Sequence, residues 1–139
     1  MPTLARYFIK SGMIYFVIGL LLATVVMAQP VFDLPTSIAL LRPTYLHLLT
    51  VGWITQVIVG VAYWMFPKYT KENPRGNERL GWAIFLLLNT GIILRTIGEP
   101  LVALYPTLGA GWLLALSGVT QLLGGWGFII NTWSRVKER

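Results

Sequence analysis

Four long apolar stretches, 12–27, 45–66, 80–97 and 108–133, alternate with shorter segments that hold nearly all the charges. Each is long enough to cross a bilayer as a helix, which takes about 20 residues, and none shows the unbroken alternation of a barrel strand. A helix satisfies its own backbone polar groups, which lipid cannot do. The pattern predicts an all-α integral membrane four-helix bundle, a single domain over 1–139, with helices at roughly 7–28, 44–66, 79–98 and 107–133. The first stretch also carries the elements of a signal peptide, Arg6 and Lys10 before an apolar run ending at Val26 to Ala28, and is read as a retained helix. The connection 68–79 sets Pro74 and Gly76 among charges and reads as a turn in water. That at 29–42 has room for a short surface helix, with Pro43 placed in the first turn of the second long helix.

Lipid gives no apolar drive for one helix to pack on another, so small residues mark where backbones approach. Helix four offers a stripe of Gly111, Ala115, Gly118, Leu122 and Gly125, continued by Thr132; helix one offers Gly12, Phe16, Gly19 and Ala23. Helix two has Gly52, Gln56 and Gly60 on one face, and helix three has Gly91 and Gly98. A bundle packing on itself accounts for most of these, yet seams on every helix exceed what one bundle needs. Tyr63, Trp64, Phe66 and Trp133 at one surface, and Tyr105 and Trp112 at the other, read as interfacial aromatic belts.

Composition agrees: 55% of residues are hydrophobic, 12% are charged, and mean hydropathy is +0.67. Of the 11 Lys and Arg residues, only Arg42 and Arg95 fall on one side of the four segments. The positive-inside rule then puts both termini in the cytoplasm, in a bacterial or archaeal inner membrane. The net charge of +6 is thus a topology signal, and no nucleic-acid partner is expected. Cysteine is absent and His47 is the single histidine, so nucleophilic catalysis has no support, and neither phosphate-loop nor zinc spacings occur.

His47 lies near the outer end of helix two. On a helical wheel it shares an otherwise apolar face with Thr50, Val51, Ile54 and Ile58, while Gln56 points the opposite way. Two readings stand: a polar residue hydrogen-bonded near the interface, or a metal ligand through its neutral ring. Arg95, at similar depth on helix three, needs an anionic partner. That partner is either Glu99, one turn on, or a ligand carboxylate such as a haem propionate, to which Arg42 could add a second contact. Iron on His47, porphyrin against Thr50, Val51 and Ile54, and propionates toward Arg95 and Arg42 would make a haem b site.

The run His47 to Pro67, HLLTVGWITQVIVGVAYWMFP, resembles the second transmembrane helix of the catalytic subunit of haem-copper oxidases and nitric oxide reductases, and of NnrS-like haem-copper membrane proteins. The matching features are His47, Gly52 with Trp53, Gly60, and Trp64 with Pro67. The resemblance implies an axial haem role for His47 and, less directly, a propionate role for Arg95. It also implies that this chain corresponds to one of three four-helix arcs. With no histidine set for copper, no copper is expected from one protomer, and oxygen or nitric oxide reduction by one protomer is not supported. Three copies would rebuild the larger layout, so a homotrimer with haem at protomer interfaces is expected. The second axial ligand would come from another protomer's His47, from Met27, or from nothing.

The resulting expectation is a b-type haem protein of electron transfer or of haem or gas sensing. A haem-free structural or assembly subunit of a respiratory membrane complex is the alternative. A multidrug-type exporter fits less well: helix one lacks a buried acid, and Asp33, Glu72, Glu78, Glu99 and Glu138 lie in loops or near helix ends.

Overall fold

The computed structural model describes residues 1–71 and 74–136; Lys137 and Arg139, used above for orientation, and the acids Glu72 and Glu138 lie outside the described residues. Among the described residues there is no strand, and four helices are long and apolar enough to cross a membrane. They are α1 (Thr3–Ala28), α2 (Thr36–Met65), α3 (Glu78–Leu104) and α4 (Gly111–Trp133). The chain reverses after each, so Arg6, Lys10, Lys68, Lys71, Arg75, Arg79 and Arg135 gather at one end, called the basic end below. His47 sits toward the other.

Helix limits depart from the expected ones for identifiable reasons. α1 begins at Thr3, earlier than residue 7, because Leu4, Ala5 and Phe8 belong to the buried core of the basic end. α2 is continuous from a 3-10 turn, Thr36–Leu41, which is the expected surface helix, through Pro43 in its first α-helical turn. α3 runs through Pro100 to Leu104 and does not stop near residue 98. In a membrane helix the proline's missing donor is tolerated, and the turn before it is braced by Arg95, whose Nε donates to Glu99 Oε1. α4 starts only at Gly111, since Gly109 takes a left-handed φ of 61° that interrupts the helix.

α1 and α2 lie antiparallel with side chains set against glycine. A Cβ on Gly19 would strike Leu49, one on Gly52 would strike Tyr15, and one on Gly60 would meet Ile9 and Phe8. Phe16 and Trp53 rings pack with centroids 4.1 Å apart. This pair meets α3 through a core of Leu4, Ala5, Phe8, Val59, Tyr63, Ile84 and Leu88, and through Tyr15 Oη, which donates to Asn89 Oδ1 at 2.8 Å.

α4 packs almost wholly on α3, and of the expected stripe only Thr132 is buried. Gly111, Gly118 and Gly125 have open space where a Cβ would stand, and Ala115 and Leu122 are exposed. The buried positions are Ser117, Gly124, Gly127, Asn131 and Thr132. Ser117 Oγ donates to Gly91 O at 2.7 Å and Gln121 Nε2 donates to Ser117 Oγ at 2.9 Å. Glycines 124 and 127 receive Leu88 and Ile84. The hydroxyl and amide groups turn inward because only there do they find partners; the neighbouring glycine register, which needs none, is left outside.

At the basic end, Tyr63 is 1% exposed and accepts from Asn131 Nδ2, so it is a core residue and not part of the aromatic belt. Trp64, Trp133, Tyr105 and Trp112 are exposed, as belt residues are. Asn77 caps α3 by accepting from Leu80 N, and its own N–H donates to Asn131 Oδ1. Gly76, at φ 76°, sits against the same Asn131 oxygen and completes the expected turn with Pro74, whose carbonyl accepts from Tyr69 N.

Arg135, just past α4, is 1% exposed and donates to the carbonyls of Pro67 and Phe66, each at 3.0 Å, and of Tyr63 at 3.4 Å. It thereby satisfies the orphan carbonyls that end α2 and places a cation at that helix's negative pole. Burial, with Arg75 acting in the same direction, lowers the guanidinium from its ordinary value, opposed by Tyr63. Arginine nonetheless keeps its charge in proteins.

Candidate functional site

The chain has a wide cleft between the basic halves of α2 and α4, lined by Val57, Val61, Met65, Phe128 and Ile129 among others. It is almost entirely apolar and holds no group that could do chemistry. Titratable side chains come together inside the membrane-crossing region at another place, toward the opposite end, where α2 meets α3.

There the ring of His47 hangs from the last turn of an α-helical stretch, Arg42–His47, directly before a π-helical segment, Leu48–Thr55. π segments bond i to i+5 and interrupt the regular helical face, and they concentrate at functional sites. Thr55 Oγ1, donating to Thr50 O at 3.1 Å, follows that five-residue step. Despite the changed period, the face of His47 is the outward one. Thr50, Ile54 and Ile58 are exposed and Val51 is half-buried, while Gln56 is fully buried against α1.

His47 Nδ1 is 2.9 Å from Pro43 O, one turn back on its own helix. The same nitrogen is 3.3 Å from Glu99 Oε1, which also accepts from Arg95 Nε at 2.7 Å. Glu99 is 7% exposed, whereas the His47 and Arg95 side chains are about one-third open, at 31% and 29%. A single buried carboxylate oxygen thus joins two basic groups from two helices.

The partner that the structure gives Arg95 is therefore Glu99, the local alternative. Glu99 was legible only as that partner, because nothing in sequence brings it to His47. The single pointer was a carboxylate one turn from a membrane arginine. Of the remaining candidates, Arg42 is exposed at the head of the His47 helical stretch, and Thr50 spends its hydroxyl on Leu46 O at 2.8 Å. Met27, near the end of α1, is 68% exposed.

The arrangement dictates ring chemistry. Both groups facing Nδ1 are oxygens with lone pairs to offer, so in the neutral ring that nitrogen carries the proton and Nε2 keeps its lone pair. A histidine whose Nδ1–H is held by a carbonyl or carboxylate is the usual form of a metal-ligating imidazole. Among the described residues no three His, Cys, Asp or Glu side chains gather as a metal cluster. Comparison with protein-family models, curated proteins and solved structures yields no match, which leaves the geometry of this site to carry the functional argument.

Proposed function

We propose that this protein is a b-type haem-binding integral membrane protein related to the haem-copper oxidase superfamily, with His47 as axial ligand at an interface between protomers. In this reading it lies in a bacterial or archaeal inner membrane with both termini cytoplasmic. It serves electron transfer, or haem or gas sensing. The observation that supports the proposal is that Nδ1 lies against Pro43 O and Glu99 Oε1, which leaves the coordinating role to Nε2, on a helix face whose Thr50, Ile54 and Ile58 are exposed.

The residues fit haem as half of a site. His47 would hold the iron, Val51 and Ile54 would offer an aliphatic wall beside Thr50, and Arg42, exposed, would be open to a propionate. Arg95 spends its Nε on Glu99, so its share in propionate binding would fall to the rest of its guanidinium. Bound haem supplies one-electron chemistry, with its potential set by axial ligands and their hydrogen bonds. In this reading another protomer would cover the other side of the ring, as a homotrimer would provide.

Protein purified from haem-replete cells should be red with a Soret band, and His47→Ala should lose that band while keeping its helical circular dichroism. A colourless wild-type preparation, with no haem extractable into pyridine, would overturn the reading.

A second reading, a haem-free structural or assembly subunit of a respiratory complex, is favoured by the outward stripe Gly111, Ala115, Gly118 and Gly125 on α4. Such small residues suit close helix docking. Stoichiometric co-purification with larger redox subunits, without haem, would support it.

A further inference from the structure

We infer that Glu99, clamped by Arg95, is the positioning residue of the His47 site: together with Pro43 O it holds Nδ1 as the proton-bearing nitrogen and leaves Nε2 as the coordinating atom. The inference deepens the haem reading, but its core concerns only residues of this chain.

Three observations carry it. First, Glu99 Oε1 accepts from Arg95 Nε at 2.7 Å and lies 3.3 Å from His47 Nδ1. Second, the carboxylate is 7% exposed and its Oε2 has no hydrogen-bond partner among the described residues, so its interactions are concentrated on the one oxygen shared by Arg95 and His47. Third, Pro43 O, the other acceptor, lies on the same helix as His47, whereas Glu99 comes from α3. The carbonyl alone sets a local rotamer; the carboxylate ties the ring to a second helix and adds negative charge behind it.

The chemical consequence is the one that carboxylate partners have on ligating histidines generally. They hold the tautomer and orientation and raise the basicity of the far nitrogen. A more basic Nε2 donates more strongly to a metal and favours its oxidised form, so Glu99 would hold the potential of a bound haem down. Arg95 moderates this effect by sharing the same oxygen.

Because His47 is the single histidine, 15N-histidine labelling gives one Nδ1 and one Nε2 resonance with no assignment problem. The full-length, haem-free chain in lipid nanodiscs should show a protonated Nδ1 and an unprotonated Nε2. Glu99→Gln, nearly isosteric, should move the Nδ1 resonance toward a weaker hydrogen bond, and Glu99→Leu should move it further, with only Pro43 O left to accept from Nδ1. In haem-loaded protein, Glu99→Gln should shift the midpoint potential upward and Arg95→Gln should shift it downward. A wild-type ring protonated at Nε2 would overturn the inference, as would a Glu99→Gln spectrum identical to wild type. A chain that shows the expected tautomer but takes up no haem would sink the haem reading and leave the role of Glu99 intact.

Discussion

Oε1 of Glu99 on α3 lies 3.3 Å from Nδ1 of His47 on α2, bringing together two residues from separate membrane helices. The same oxygen holds Arg95, so a buried carboxylate depends on its cation. Removing one partner of a fully buried pair costs ~3–5 kcal/mol. Arg95 is 29% exposed, so screening reduces this, and Arg95→Leu should destabilise the fold by about 1–3 kcal/mol. The double variant Arg95→Leu/Glu99→Leu should regain most of that loss, because no unpaired charge remains. Thermal unfolding of the four members of this cycle in one detergent measures the coupling.

Arg135 should matter more to stability than a basic residue after a membrane helix usually does. Arg135→Leu leaves the carbonyls of Pro67 and Phe66 without the donor they now have, at a cost of about 2–4 kcal/mol. Arg135→Lys should recover only part, since an ammonium lacks the planar fork that reaches several carbonyls at once. Midpoints of thermal unfolding for the two variants, ranked against wild type, check this order.

Glycines on the two faces of the α3–α4 pair should respond in opposite ways. A Cβ on Gly91 would come within 2.6 Å of Gln121 Cγ and 2.8 Å of Thr120 Oγ1, so Gly91→Leu should cost at least about 1–3 kcal/mol and loosen α4 from α3. Gly118→Leu meets open space within one chain and should leave the fold of a protomer intact. If copies associate through this face, the same change should shift the detergent-solubilised mass from trimer toward monomer. A wild-type mass corresponding to a stable monomer or dimer would sink the homotrimer.

Ser117→Ala removes the bond to Gly91 O and strips Gln121 of its acceptor. Hydrogen bonds between membrane helices average only about 0.6 kcal/mol, so the expected loss is ~1 kcal/mol. Unfolding measured by steric trapping or by detergent titration resolves a change of that size.

Apolar run length, charge placement and residue spacing were enough to define four membrane helices, the turn at Pro74 and Gly76, the small-residue faces of α1 and α2, and the apolar face that His47 shares. Each of these depends on local physics: the bilayer's thickness, the cost of charge in lipid, and the identity of residues one turn apart. Three things required the tertiary structure. α4 carries two adjacent small-residue registers, Gly111–Gly118–Gly125 and Ser117–Gly124–Asn131, and composition ranks the glycine-rich one first. The chain buries the other, because Ser117 and Asn131 must find Gly91, Tyr63 and Asn77 in a medium with no water to offer. Arg135 reads as one more basic flank until the end of α2 is placed beside it. Glu99 reads as an acid near the end of helix three and a partner for Arg95, until α3 is seen to continue through Pro100 and to bring its carboxylate near His47. Pairings between helices are long-range facts that a one-dimensional pattern does not encode, and in lipid they are decided by which polar groups can satisfy one another.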